Sequence, residues 1–262
     1  MIAIDKPLLA GIMKKNRASL AKVKTWIKDS DYENSLFYYG VPRYAKPLLD
    51  DFIGEETTYS DIIAYFAAGL SSPVRYLEIG VSVGKNFFQM LNVLEGALLV
   101  GLEIEDINPV LERFLIKRGA GEWPTMPGSL RKSPSRLIEY EFAPNNNRVH
   151  YLAGDEYDEN TWRRLKGSKF NLIFSDGVHS GGTLMTEWER IRELELLDAD
   201  EFVMVWDDLN APDMQAAFDR VSAEMRNAFS IPAEGVGVGL CRGWIGAHEH
   251  PHAIGFVRKA RA

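Results

Sequence analysis

The sequence predicts an α/β protein built on an open sheet, and three observations carry that prediction. An apolar run at 74–79 is followed by a turn holding Gly80 and Gly84, then by apolar residues at helical spacing over 86–94; this is strand, glycine turn, helix. A second apolar run, 97–104, has Glu103 at its carboxyl end, 19 residues after Gly84. Two more runs, 170–175 and 201–206, are each followed at once by carboxylates, Asp176 after the first and Asp207 with Asp208 after the second. Short apolar runs separated by helical patterns are what parallel strands joined by helical crossovers look like in sequence.

With 262 residues the chain can bury a full core. We divide it into an N-terminal helical extension, 1–70, and an α/β domain, 71–262. A formal net charge of −7 argues against a general nucleic-acid or anionic-membrane binder and turns attention to small-molecule partners. Cys241 is the sole cysteine, so neither an intramolecular disulfide nor a cysteine-based zinc site can form, which fits a reducing cytoplasm. The start lacks a secretory signal pattern, and no segment reaches the roughly 18 apolar residues of a membrane span. The composition is compatible with a homo-oligomer.

In chain order, 10–29 reads as an amphipathic helix with Leu20, Val23, Trp26 and Ile27 on one side and a basic face that either meets an acidic partner or is solvated. The stretch 37–47 groups tyrosines around Gly40 and two prolines, suited to a structured loop that lines a pocket or packs on the sheet. A helix at 57–70, capped by Thr58 or Ser60, leads into the first strand. The glycine turn lets backbone N–H groups and a helix N-terminus approach a ligand. In a right-handed βαβ unit Glu103 then falls beside that turn, where its two oxygens can accept from both hydroxyls of a ribose; Glu105 and Asp106 are close competitors.

A helix at 108–117 should come next, and after it an excursion at 119–147 rich in Pro, Ser, Gly and Asn, which is either a lid over the site or a passive surface insertion. The third strand, 149–153, ends at Asp155, which either accepts a hydrogen bond from an adenine amino group or caps the helix at 160–165. Helices at 187–197 and 213–229 flank the fifth strand, one before it and one after, and 235–245 and 252–258 read as a closing antiparallel pair. His248, His250 and His252 alternate in its link and read as surface. Asp176, Asp207 and Asp208 are delivered to the same sheet edge as the glycine turn, and three carboxylates there call for neutralisation. Mg²⁺ with oxygen ligands would do so, Asn210 adding a carbonyl, unless Asp207 or Asp208 caps the next helix.

YLEIGVSVG, VGLEI, the Gly154-Asp155 pair, IFSDG and VWDD together resemble the motifs of class I S-adenosylmethionine-dependent methyltransferases, over about 74–259. The paired carboxylates after the fourth and fifth strands resemble the metal-dependent O-methyltransferases of the catechol and antibiotic-sugar types. The resemblance implies a Rossmann-like sheet of seven strands, order 3-2-1-4-5-7-6, with the seventh antiparallel. It implies that Glu78, Gly80, Ser82 and Gly84 lie at the methionine part of S-adenosylmethionine, that Glu103 holds the ribose and that Asp155 sits near adenine. Asp176, Asp207 and Asp208 match the metal positions, and His179 stands where catechol-type enzymes carry a lysine base, so that His179 or Asp176 would deprotonate a small-molecule hydroxyl. Ser82 replaces the usual middle glycine, and Val178 the second aspartate of an Asp-Gly-Asp motif. Two rival readings stand beside this one. Gly80-Val-Ser82-Val-Gly84 also fits the nucleophile elbow of a serine hydrolase, with Asp207 and His252 in hydrolase order; a cofactor-binding fold without catalysis would serve as a partner module.

Overall fold

The computed structural model describes residues 4–28, 57–71, 73–241 and 252–261. The loop at 37–47, His248, His250 and the side chains of Val23, Trp26, Ile27 and His252 lie outside the described residues. Helices α1 (Lys6–Lys28) and α2 (Tyr59–Ala68) precede strand β1 (Arg75–Ile79), helix α3 (Lys85–Val93) and strand β2 (Leu98–Glu103). Then come α4 (Pro109–Glu112), β3 (Ile116–Trp123), β4 (Ser135–Phe142), β5 (Asn147–Ala153), α5 (Glu159–Arg163) and β6 (Leu172–Ser175). The chain continues through α6 (Gly181–Glu193), β7 (Phe202–Trp206), α7 (Pro212–Phe229), β8 (Val236–Cys241) and β9 (His252–Lys259).

All the described strands join one sheet, in the order β3-β4-β5-β2-β1-β6-β7-β9-β8. Strands β5, β2, β1, β6 and β7 are parallel neighbours, while β9 runs antiparallel to both β7 and β8. Helices cover both faces, which makes the architecture α/β and Rossmann-like with a mostly parallel centre. The expected seven strands are therefore corrected to nine, and the order changes with them. Both differences come from one antiparallel hairpin, β3–β4, which pairs through β4 onto the outer side of β5.

The same hairpin replaces two local expectations. The helix expected at 108–117 stops after the single turn of α4, because Ile116 already enters the ladder opposite Glu141. Much of the excursion expected at 119–147 is sheet. Gly119 and Gly121 are poor helix formers and sit in the exposed outermost strand. Elsewhere the shifts are at boundaries: α6 starts six residues before the expected 187, capped by Ser180, whose hydroxyl accepts from the Thr183 N–H at 3.1 Å.

Strand periodicity decides which face each side chain meets. Tyr76, Val203, Val205 and Phe174 join the core beneath α2 and α3, whereas Leu77, Ile79, Ile173, Met204 and Trp206 join the core beneath α6 and α7. Phe174 stacks on Tyr59 of α2, ring centroids 5.4 Å apart. Thr58 and Asp61 close a reciprocal cap on α2, and the fully buried Asp61 also receives Asn16 at 2.7 Å and Arg17 at 2.9 Å from α1. One member of the basic face of α1 is thus committed to an internal carboxylate, while Lys14 and Lys15 are exposed. Among the described residues no helix is long and apolar enough to cross a membrane.

Candidate functional site

A cavity of about 580 Å³ opens at the carboxyl ends of β1, β2, β5 and β6. Gly80, Ser82, Glu103, Asp155, Asp176 and His179 are all among its lining residues. Its floor is the turn between β1 and α3. Gly80 has φ of +79°, Ser82 +52° and Gly84 +84°. At Gly80 this is obligatory: a Cβ would lie 2.0 Å from the carbonyl oxygen of Asp176, so the turns after β1 and β6 touch backbone to backbone. Ser82 adopts the left-handed conformation despite its side chain, and its N–H donates to Glu103 Oε2 at 2.5 Å.

Glu103 is 8% exposed and its other oxygen accepts from the N–H groups of Ile104 and Glu105 at 2.8 and 3.3 Å. A carboxylate offers about four acceptor positions, so one remains toward the cavity. Asp155 is used in the same manner, receiving Ser129 Oγ at 3.0 Å, Leu130 N–H at 2.8 Å and Tyr157 N–H at 2.9 Å. The helix-capping role belongs to Asp158, whose side chain accepts from Asn160 N–H at 2.8 Å. Asp155 therefore fastens the β3–β4 connection to the cavity rim. Arg131 does the same from the other side, donating to the Ile104 carbonyl at 2.5 Å and to Asp106 at 2.7 Å.

Glu78 is not among the cavity-lining residues. On β1 it points with Tyr76 toward the α2–α3 side, where Tyr76 O–H donates to it at 2.6 Å and Asn86 Nδ2 at 2.9 Å. Burial outweighs both donors and pushes its carboxyl up to about 8.

The three aspartates after β6 and β7 do not all converge. Asp176, His179 and Asp208 bring donor atoms within 4.8 Å of one another, and Asp207 is outside that group. The alternation of β7 explains this: Asp207 continues the row of Val203 and Val205 toward the α2 side, where its charge reaches Tyr59 and Cys241. Asp208, with φ of +58°, breaks the alternation and turns to His179, whose Nδ1 lies 2.6 Å from Asp208 Oδ2. Burial first, then Asp207 and Asp208, holds Asp176 well above the usual carboxylate range. The hydrogen bond to Asp208 raises His179 against the opposing effect of burial. Asp176 and Asp208 suit a hard divalent cation, since Mg²⁺ takes one or two carboxylates and fills its octahedron with water.

Ser82 has no histidine partner among the described residues, and His179 is bonded to Asp208 instead. Three residues that sequence reasoning passed over belong to the site's surroundings. Tyr59 of α2 lies in the field of Asp176, Asp207 and Glu78, and Glu156 and Glu187 flank Gly177 of the β6 turn, Glu156 also lining the cavity. Glu187 had a readable signal, a charged residue on the face that also carries Leu184, Trp188 and Ile191.

No protein-family model and no curated protein matches the sequence. Among solved structures, the chain is similar to an O-methyltransferase from Bacillus cereus in complex with SAH, with 15% identity, a TM-score of 0.48 and coverage of 99% of this chain and 94% of that one. It is also similar to Aeropyrum pernix fibrillarin with bound S-adenosyl-L-methionine, with 13% identity, a TM-score of 0.42 and coverage of 75% and 73%. The geometry itself establishes a Rossmann-like α/β fold with an acidic cavity across the carboxyl ends of its parallel strands.

Proposed function

We propose that the chain is an S-adenosylmethionine-dependent methyltransferase acting on a hydroxyl of a small molecule. The observation that carries this reading is the cavity with a glycine turn as floor, Glu103 tied to that turn, and an imidazole at its far rim. Bound S-adenosylmethionine supplies an activated methyl group on a sulfonium centre. In this reading the turn from Gly80 to Gly84 receives the methionine part, with Glu78 behind it. Glu103 uses its remaining acceptor position on the ribose, and Asp155 its own on the adenine amino group.

His179, held in orientation by Asp208, is the residue that would take the acceptor's proton, with the methyl group supplied by bound S-adenosylmethionine. Asp176, whose carboxyl is held well above the usual range by burial and by Asp207 and Asp208, is assigned a place beside the acceptor oxygen. Asp176 and Asp208 would hold Mg²⁺, which would supply polarisation of the same oxygen, and Asp207, whose charge also acts on Asp176, stands outside the group whose donor atoms meet. The connection between β3 and β4, held by Asp155 and Arg131, serves as the cover of the cofactor.

Isothermal titration with S-adenosylhomocysteine tests the assignment. One site per chain is expected, with Glu103→Ala weakening it by more than about tenfold, the equivalent of one charged hydrogen bond. Absence of binding to the unaltered protein overturns the reading; binding without transfer to any hydroxyl acceptor favours a partner module.

A further inference from the structure

A second cavity, of about 290 Å³, shares no lining residue with the first. It lies between α2 and the β8–β9 pair, where Ile62, Tyr65 and Phe66 form the helical wall and Cys241, Ile254 and Phe256 the strand wall. The rings of Phe66 and Phe256 pack with centroids 5.1 Å apart, and Tyr65 meets Phe66 edge-on at 6.4 Å. The Asp5 N–H donates to Tyr65 Oη at 2.9 Å, which brings Ile4, 49% exposed, to the rim. Two glycines of β8 shape the interior. A Cβ at Gly237 would lie 2.6 Å from the Phe256 ring, so glycine is what lets that ring rest against the strand. A Cβ at Gly239 would meet nothing nearer than Ile254 Cγ1 at 3.9 Å, and the space a side chain would take there is left to the cavity.

We propose that this pocket is a second binding site, separate from the cofactor cavity, for a small uncharged aromatic molecule of two fused rings. Size sets the first limit. A dry cavity of about 150 Å³ lined by Leu, Ile and Phe takes up benzene, and roughly twice that volume admits a second ring. The volume falls at the low end of small-molecule sites, near 300 Å³, and is too small for a folded segment of chain. The walls set the second. Tyr65, Phe66 and Phe256 offer ring faces and edges to an aromatic guest, which gains from offset or edge-on contact beyond the area it buries. Charge sets the third. Among the described residues that line the pocket Glu234 is the single charged one and none is Lys, Arg or His, so an anion would find no partner there. Cys241 adds no charge, because burial, then Asp207 and Asp61, pushes its thiol up to about 12.

The proposal does not depend on the methyltransferase reading, and its test uses indole as the probe. In methyl-resolved NMR spectra of the unaltered protein, indole should shift the Ile62 and Ile254 resonances saturably and leave Ile104, which lines the first cavity, in place. Indole-3-carboxylate, the same rings with a negative charge, should bind at least about tenfold more weakly, since burying an unpaired charge is costly. Gly239→Leu puts a side chain into the cavity and should weaken indole at least about tenfold, because the two would compete for one volume. If that variant fails to fold, the methyl map and the comparison with indole-3-carboxylate decide. Absence of saturable shifts at Ile62 and Ile254, shifts centred on Ile104, equal binding of the charged analogue, or an unchanged affinity in Gly239→Leu each overturns the proposal. Shifts at Ile62 and Ile254 that grow with protein concentration in the absence of indole would give the pocket to a second copy of the chain, and overturn it too.

Discussion

Replacing Glu78 by glutamine should change how stability depends on pH more than it changes stability itself. Burial holds the Glu78 carboxyl near 8 against an ordinary 4.5, so the folded protein keeps a proton there that the unfolded chain releases. A raised folded value contributes stability that is fully present below about 4.5 and is lost as pH rises toward about 8. Between pH 5 and pH 7 the unfolded chain completes its ionisation while the folded chain scarcely begins. For a shift from 4.5 to about 8, this single group then costs the folded state about 2.5 kcal/mol over that interval. Glutamine cannot ionise, and its carbonyl still accepts from Tyr76 O–H. Urea unfolding at pH 5, 6 and 7, read by tryptophan fluorescence, should show the variant gaining on the parent by about 2.5 kcal/mol across the series, whatever the offset between them at pH 5. Parallel curves would refute the reasoning, because they would mean that Glu78 titrates alike in both states.

Two structural predictions accompany it. Gly80→Ala forces a non-glycine residue to φ of +79° and drives a Cβ against the backbone of Asp176; conformational and steric costs together come to roughly 2–5 kcal/mol, measured by thermal or urea unfolding, with loss of S-adenosylhomocysteine binding. Asn147→Ala removes the side chain bonded to the Ala97 N–H, while Asn145 still donates to the carbonyls of Leu91 and Leu94 that Asn147 also serves. One orphaned buried donor costs about 2 kcal/mol, and a change within about 0.5 kcal/mol of the parent by urea unfolding would contradict the assignment.

The central strands β1, β2, β6 and β7 were legible because strands buried on both faces are mostly apolar, and β5 showed as a shorter run over 149–153. Glu103 was legible for a related reason: spacing through one βαβ unit determines where its strand ends relative to the glycine turn. The hairpin was not. Ile116–Trp123 is largely exposed and interrupted by glycines, with no alternation to mark it, and its pairing is dictated by the neighbouring Ser135–Phe142 strand. The acidic centre was half legible. Sequence brings Asp207 and Asp208 to the same strand end, but only the backbone shows that they part, one following the pleat toward Tyr59 and the other turned by a left-handed residue to His179. Glu156 and Glu187 come together from elements 31 positions apart in sequence, and nothing local to either names the other.

Surface connections ordinarily drift in length without consequence. The one between β3 and β4 is different, because Ser129 and Leu130 hang from Asp155 and Arg131 reaches the end of β2. The outward edge of the sheet and one wall of the cavity are a single piece of chain. Evolution can therefore retune the pocket by lengthening or trimming a solvent-facing hairpin, leaving every floor residue of the cavity untouched.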